Sequence, residues 1–259
     1  MDAKLVRWGI LSTANIARKN WKALRNSGNG TVVAVASRNL PRAQQFINEC
    51  QAHTPMGNDV RAFARYDELL ASREVDAVYI PLPTGLRKEW VLRAAAAGKH
   101  VLCEKPCALN LADLREMIEA CRKNRVQFMD GVMFMHSTRL AEILKFIKQD
   151  RIGHVKRITS AFSFHADDEF YANNIRGSSE LEPFGCLGDL GWYCIRLALC
   201  VADFQTPREV TGCVISQVSG AKSARPVPVE FSGEMLFENG ISASFYSSFA
   251  AANEQWAII

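Results

Sequence analysis

Short apolar runs alternate with helix-forming segments along the first half of this chain, and this alternation restricts the fold more than any other feature. Six such runs are strand-like, at residues 5–11, 31–36, 61–66, 76–80, 101–103 and 126–129. Segments with helical signals separate them, and strands that alternate with helices in this way form a doubly wound parallel sheet. We therefore predict an α/β Rossmann domain with a doubly wound parallel sheet over residues 1–130.

The pattern changes after residue 130, where long strands replace the alternation. The predicted helices and strands are, in chain order, residues 139–149, 155–164, 184–201, 210–218, 227–237 and 241–249, of which the first and third are helical. Asn239-Gly240 lies between the last two strands and is a strong hairpin signal. These elements predict an α+β domain over residues 131–259, with a mostly antiparallel open sheet.

Composition and charge exclude several classes of protein. Hydrophobic residues make up 48% and charged residues 22% of the 259, as in soluble globular proteins. The net charge of +4 is not concentrated in a basic block, so nucleic acid is not an expected partner. No apolar run approaches the roughly 18 residues that a membrane helix needs, and residues 1–4 lack the apolar core of a signal peptide. No membrane association is therefore expected.

The eight cysteines are scattered through predicted strands and helices, without the paired spacing of a metal site. We predict that they are reduced and mostly buried, as small hydrophobic residues. Cysteines of this kind are typical of a reducing compartment. The cytoplasm is the expected location, and no metal is expected.

The turn after the first strand has the position and spacing of a dinucleotide-binding fingerprint. Its residues are Ser12, Thr13, Ala14, Asn15 and Ile16. Ser12, Ala14 and Ala17 stand where three glycines are usual, and small side chains can meet the same demand for a tight turn that approaches a pyrophosphate closely. Backbone N–H groups at the start of the following helix would then bind the phosphates. On its own, the segment is equally compatible with an ordinary strand-to-helix turn.

The second strand ends in Ser37-Arg38, without the acidic residue that binds the ribose hydroxyls of NAD. An arginine at this position accommodates the 2′-phosphate of NADP, and the Ser37 hydroxyl is a further donor. We therefore predict NADP rather than NAD as the cofactor. The alternative is a solvated arginine at the start of a helix over residues 39–50.

A lysine follows the fifth strand, in the sequence Glu104-Lys105-Pro106. Open α/β sheets bind their ligands at the carboxyl ends of strands, and a partly desolvated lysine there is a candidate acid–base group. The fourth strand ends in residues that are predicted to line the cofactor, namely Pro81, Leu82, Pro83 and Thr84. Taken alone, both segments are also explained as ordinary turns.

Asp189 and Tyr193 lie four residues apart in the predicted helix over residues 184–201, so they would share one helix face. A carboxylate and a phenol hydroxyl aimed at a lysine would form a proton-handling group. The alternative for this pair is a structural aspartate and a half-buried tyrosine.

Together these motifs resemble the glucose–fructose oxidoreductase/inositol dehydrogenase/rhizopine-catabolism (Gfo/Idh/MocA) family, and within it the branch of dihydrodiol and NADP-dependent D-xylose dehydrogenases. The resemblance covers essentially the whole chain, and its anchors are residues 12–17, 37–38, 81–84, 104–106 and 188–193. It implies that Lys105 is catalytic and that its peptide bond to Pro106 is cis. It also implies that Asp189, Tyr193 and Arg176 meet the substrate, with Tyr193 standing where many relatives carry histidine.

The resemblance implies an NADP-dependent oxidoreductase that transfers hydride between a hydroxyl-bearing carbon of a sugar or cyclic diol and the nicotinamide. It also implies a homodimer formed through the C-terminal sheet. The sequence departs from the family in two ways: Arg87 replaces the usual histidine, and the family chain continues beyond residue 259. The second departure leaves open a shortened relative that binds NADP(H) or a protein partner without catalysis.

Overall fold

The computed structural model describes residues 5–220 and 223–259, so residues 1–4, which the signal-peptide prediction concerns, lie outside the described residues. Two compact units divide the chain, one ending at Gly131 and the other comprising Val132–Ile259. Within the part of the chain that is described, no helix has the length and apolar character needed to cross a membrane.

The first unit is a parallel sheet with helices between its strands. The strands are β1 Val6–Leu11, β2 Gly30–Ala36, β3 Arg61–Phe63, β4 Ala77–Ile80, β5 His100–Cys103 and β6 Phe128–Asp130. The helices are α1 Asn15–Asn26, α2 Leu40–His53, α3 Tyr66–Ala71, α4 Thr84–Ala96 and α5 Leu111–Lys123. The strand order is β3-β2-β1-β4-β5-β6 with parallel neighbours, which confirms the predicted Rossmann fold.

The central strands are apolar because helices cover both faces of the sheet. All four residues of β4 are buried. Val78 packs into one core cluster with Val91 of α4, whereas the next residue, Tyr79, packs into a second cluster with Trp21 of α1. Successive strand residues point to opposite faces, so the two clusters lie on the two faces of one sheet.

The edge strands β3 and β6 are shorter than predicted. β3 ends at Phe63, since Asp67 and Glu68 favour the first turn of helix α3. β6 begins later than predicted, since the N–H of Val126 is donated to the carbonyl of Cys121 at the end of α5. The helix over residues 111–123 begins after Asn110, whose side chain accepts the N–H of Asp113 as an N-cap.

The second unit is one sheet with helices before and between its strands. The strands are β7 Arg157–His165, β8 Glu209–Val218, β9 Val227–Leu236, β10 Ser242–Ser248 and β11 Ala250–Ile258. The helices are α6 Thr138–Lys148, α7 Asp168–Asn173 and α8 Trp192–Val201, with 3₁₀ helices Met133–His136 and Ile175–Gly177 and a π-helical turn Leu187–Gly191. The strand order is β11-β7-β10-β9-β8, and the prediction of a mostly antiparallel sheet is confirmed.

One pair of neighbouring strands in this sheet is parallel. β10 runs parallel to β7, whereas the other neighbouring pairs are antiparallel. The Asn239-Gly240 signal correctly predicts the β9–β10 hairpin, in which Gly240 has φ of +82° and the N–H of Phe237 bonds to the Ile241 carbonyl at 2.9 Å. A hairpin signal predicts pairing only between strands that follow each other in the chain. It therefore could not predict the pairing of β7 with β10.

The cysteines are mostly buried and form no disulfide with one another, as predicted. All eight are free thiols, and all except Cys213 are buried. Burial raises the pKa of the Cys50 thiol to about 11 and that of Cys186 to about 12. These thiols are therefore protonated at neutral pH and act as hydrophobic core residues.

Candidate active site

The candidate cofactor residues of the first unit follow the carboxyl ends of neighbouring strands. Residues 12–16 follow β1, residues 37–38 follow β2, residues 81–84 follow β4, and residues 104–106 follow β5. The strand order changes direction between β1 and β4, since β2 and β3 lie on one side of β1 and β4 to β6 on the other. Such a switch point is where open α/β sheets bind ligands. The fold therefore brings these four segments to one edge of the sheet.

The turn after β1 meets the demands of a phosphate-binding turn without any glycine. Ser12 has φ of 135°, a backbone conformation that non-glycine residues rarely adopt, and its Oγ accepts the N–H of Ala14 at 3.0 Å. Ala14 is the N-cap of α1 and contributes no side-chain cap, so no capping side chain of its own competes with an anion for the first amides of the helix. Ala17 is fully buried, which lets the helix approach the sheet closely. These features fit the pyrophosphate of a dinucleotide.

Two arginines, Arg38 and Arg42, follow the end of β2. Burial raises the pKa of the Tyr66 hydroxyl, and the positive charges of Arg38 and Arg42 act against that rise. Both arginines are exposed, while Ser37 is buried and its Oγ accepts the N–H of Asn39 at 3.4 Å. Sequence reasoning did not identify Arg42. The sequence feature that could have identified Arg42 is its position four residues after Arg38, near the start of α2.

Arg87 joins the loops after β4 and β5. Its side chain is buried, with only 5% of the residue exposed. Its Nε donates to the Leu82 carbonyl at 2.7 Å, and its Nη1 donates to Thr84 Oγ1 at 2.8 Å and to the Pro106 carbonyl. The arginine therefore fixes the Pro81–Thr84 segment against the bend that follows Lys105.

Lys105 lies in a bend of the chain. The preceding residue, Glu104, is hydrogen-bonded to a side chain of the sheet. The peptide bond from Lys105 to Pro106 is cis, as the family resemblance implies. The Lys105 N–H is donated to Glu104 Oε2 at 3.2 Å, and the hydroxyl of Tyr79 donates to Glu104 Oε1 at 2.6 Å. Both carboxylate oxygens of Glu104 therefore have partners within the first unit.

In the second unit, Arg176 and Asp189 form a two-point ion pair. Arg176 lies in the Ile175–Gly177 3₁₀ helix, and its Nε and Nη2 donate to Asp189 Oδ2 at 2.5 Å and to Oδ1 at 3.2 Å. Burial lowers the pKa of the Arg176 guanidinium, but the charge and hydrogen bonds of Asp189 outweigh that effect and raise it. Asp189 itself lies in the π-helical turn rather than in the α-helix that the sequence predicts.

Tyr193 lies in the first turn of α8 and packs against two phenylalanine rings. The ring centroid of Phe162 is 5.5 Å from that of Tyr193, and the centroid of Phe134 is 6.0 Å away. Tyr193 also lines an apolar groove of about 680 Å³ within the second unit, together with side chains that include Met133 and Trp256. The charges of Asp189 and, to a smaller extent, Tyr193 raise the pKa of Arg176.

These two arrangements define a class of protein. The first unit is a Rossmann sheet with a tight strand-to-helix turn at its switch point and a lysine at a neighbouring strand end. The second unit presents an arginine–aspartate pair and a tyrosine. A nucleotide-binding unit followed by a unit with convergent polar groups is the layout of a dinucleotide-dependent oxidoreductase.

Comparison with known proteins assigns the family. The oxidoreductase family with an NAD-binding Rossmann fold matches residues 6–132, and the GFO/IDH/MocA C-terminal domain matches residues 140–259. The chain belongs to the Gfo/Idh/MocA family of oxidoreductases, as the motifs predict, and its first unit is of the NAD(P)-binding kind.

The similar proteins include two dehydrogenases that are named for a sugar and for a cyclic diol, and a 3-ketoreductase. D-xylose 1-dehydrogenase (NADP(+)) 2 of Haloferax volcanii is 31% identical, over 96% of this chain and 71% of its own length. Trans-1,2-dihydrobenzene-1,2-diol dehydrogenase of Danio rerio is 33% identical, over 89% of this chain and 66% of its own. The 3-ketoreductase KijD10 of Actinomadura kijaniata, in complex with NADP and TDP-benzene, superposes with a TM-score of 0.82 at 25% identity, over 98% of this chain and 73% of its own. The chain spans 54 to 71% of the length of the curated relatives described by these comparisons.

Proposed function

We propose that this chain is an NADP-dependent oxidoreductase that transfers hydride between a hydroxyl-bearing carbon of a sugar or cyclic diol and the nicotinamide. The observation that carries the proposal is the convergence of the phosphate-binding turn after β1 with Lys105 after β5, on two sides of β4 in one sheet. Relatives named for NADP-dependent sugar and diol oxidation support the substrate class.

The cofactor is proposed to be NADP, with NAD as a poorer ligand. Arg38 and Arg42 are exposed, and no carboxylate follows β2 to bind a free ribose 2′-hydroxyl. Two guanidinium groups suit the charge of a 2′-phosphate. The proposed cofactor residues are Ser12, Thr13, Ala14, Asn15, Ile16, Ser37, Arg38, Pro81, Leu82, Pro83, Thr84, Glu104 and Lys105, and we include the exposed Arg42 with them.

The proposed catalytic residues are Lys105, Tyr193 and Asp189, and Arg176 joins them in binding the substrate. In the oxidative direction the substrate carbon loses a hydride and its hydroxyl loses a proton. Lys105 and Tyr193 handle that proton and stabilise the charge on the substrate oxygen. Asp189 holds the Arg176 guanidinium in place through two hydrogen bonds, so that Arg176 can orient substrate hydroxyls. The nicotinamide, when bound, supplies the hydride chemistry.

We also propose a homodimer formed through the C-terminal sheet, in a reducing compartment such as the cytoplasm. β8 is exposed along nearly its whole length and presents apolar residues such as Val210 and Ile215. A second copy would cover them. The reduced state of the buried cysteines agrees with this compartment. Sedimentation analysis of the purified chain tests the dimer, and a single monomeric species at micromolar concentration would refute it.

Turnover of a panel of aldoses and dihydrodiols with NADP⁺, and of the matching carbonyl compounds with NADPH, tests the activity. Lys105→Met should lower kcat by about 10³-fold, since it removes a proton-handling group, while the Kd for NADPH changes little. Lys145→Met, at an exposed site on α6, is the control and should behave as the wild type. Unchanged turnover in Lys105→Met would remove this lysine from the mechanism. NADPH binding without turnover of any compound would favour the non-catalytic alternative.

A further inference from the structure

A chain of hydrogen bonds runs beneath the Lys105 bend, from helix α1 through the sheet. The side-chain amide of Asn20 donates to the Tyr79 hydroxyl at 2.8 Å, and that hydroxyl donates to Glu104 Oε1 at 2.6 Å. Glu104 Oε2 in turn accepts the backbone N–H of Lys105 at 3.2 Å. Three side chains therefore connect the helix that starts at the phosphate-binding turn to the backbone of the candidate catalytic lysine.

A phenylalanine at position 79 would fill the same space in the core, so packing does not require the Tyr79 hydroxyl. Tyr79 is fully buried in β4, where it pairs with Ile10 of β1 and Leu102 of β5. Burial raises the pKa of Tyr79 far above its ordinary value, and the charge and hydrogen bond of Glu104 raise it further. The phenol therefore stays protonated and remains a hydrogen-bond donor at any pH at which the protein is folded. A buried polar group of this kind is stable only when it is bonded.

The Glu104 carboxylate is confined on its other side by backbone. A Cβ atom at Gly131 would lie 3.4 Å from Glu104 Oε1 and 3.2 Å from the Cys103 carbonyl oxygen. Glu104 Oε1 therefore lies against the Gly131 backbone as well as accepting the Tyr79 hydroxyl, and Oε2 accepts the Lys105 amide. This geometry suits Glu104 to hold the lysine rather than to reach outward.

We propose that Tyr79 is a positioning residue for Lys105, acting through Glu104. Its hydroxyl fixes the carboxylate, the carboxylate fixes the Lys105 amide, and the orientation of the lysine is thereby set from inside the sheet. Small errors in the placement of a catalytic group cost large factors in rate. This inference rests on the role proposed above for Lys105.

The first test uses amide hydrogen exchange at Lys105 by NMR and needs no substrate. Tyr79→Phe should accelerate exchange of the Lys105 N–H at least about 10-fold, because its acceptor is no longer held. Tyr246→Phe is the matched control, since the Tyr246 hydroxyl donates to Glu230 at the same 2.6 Å in the other unit. Equal exchange at Lys105 in the two variants would overturn the proposal. Should Tyr79→Phe fail to fold, Glu104→Ala tests the same link and must accelerate the same amide.

The second test is a double-mutant cycle on turnover. Tyr79→Phe should lower kcat about 10- to 100-fold while the Kd for NADPH stays within about 2-fold. If Tyr79 acts through Glu104, the double variant should be no slower than Glu104→Ala alone, whereas multiplying losses would refute the relay. A wild-type chain without turnover would count against the proposed function alone, because the exchange experiment would still decide the role of Tyr79.

Discussion

In the first unit the candidate residues follow neighbouring strands of one parallel sheet, whereas in the second they lie on short irregular elements between strands. Glu104 and Arg87 are held by groups that belong to the sheet and its adjoining loops. Arg176 and Asp189 lie on a 3₁₀ helix and a π-helical turn, and two hydrogen bonds join their side chains. Topology therefore sets the geometry of the first set, whereas in the second set an ion pair connects residues of two separate irregular elements.

Among the variants that test this difference between the two units, we expect the largest loss of stability at Arg87. Arg87→Met leaves the buried carbonyls of Leu82 and Pro106 without their donor, and should lower the free energy of unfolding by about 2–4 kcal/mol. Urea unfolding monitored by circular dichroism measures this loss. Arg93→Met on the same helix removes exposed ion pairs and a cation–π contact with the Trp90 ring, and should cost no more than about 1 kcal/mol. Equal losses in the two variants would show that Arg87 does not hold the two loops together.

A smaller loss is expected at the ion pair of the second unit. Asp189→Asn removes the counter-charge of the half-buried Arg176 and should cost about 1–3 kcal/mol, measured in the same unfolding experiment. Glu142→Gln breaks an exposed pair with Lys145 and should change stability by no more than about 0.5 kcal/mol. A cost for Asp189→Asn as small as that of the control would mean that this pair does not organise the site.

The smallest effect is expected at Tyr246, and it should depend on pH. The hydroxyls of Tyr246 and Ser216 lower the pKa of Glu230 below its ordinary value of 4.5. Because the folded pKa is lower than the unfolded one, the bond to Tyr246 stabilises the protein above about pH 4.5 and loses that effect as the pH falls through the folded pKa. Tyr246→Phe should therefore be less stable than the wild type by about 1 kcal/mol at pH 7, with a narrowing gap towards pH 4. A gap that is constant with pH would contradict the assignment.

Much of the first unit could be predicted because its signals are local. The apolar run that contains Val78 and Ile80 identifies a doubly covered strand, and the chain order of such runs gives the edge at which Lys105 lies. The contacts of Arg87 could not be predicted, because they join a helix to two loops that the sequence does not show to be adjacent. The same is true of the hydroxyl of Tyr79, since a buried tyrosine in a strand reads as a hydrophobic residue.

The second unit was predicted less completely, for a physical reason. Asp189 and Tyr193 are four residues apart, which predicts a shared face only if the segment is regular α-helix. The Leu187–Gly191 turn is π-helical, and the partner of Asp189 is Arg176, thirteen residues earlier on a separate element. A pairing between irregular elements leaves no periodic signal in the sequence.

The most direct test of the central claim is a calorimetric titration of the chain with NADPH and with NADH, alongside a thermal melt. We expect NADPH to bind about 10- to 100-fold more tightly than NADH. The double variant Arg38→Ala/Arg42→Ala should lose this preference for NADPH. A cooperative melt with no binding of either nucleotide, or with NADH bound as tightly as NADPH, would contradict the assignment of the 2′-phosphate site to these arginines.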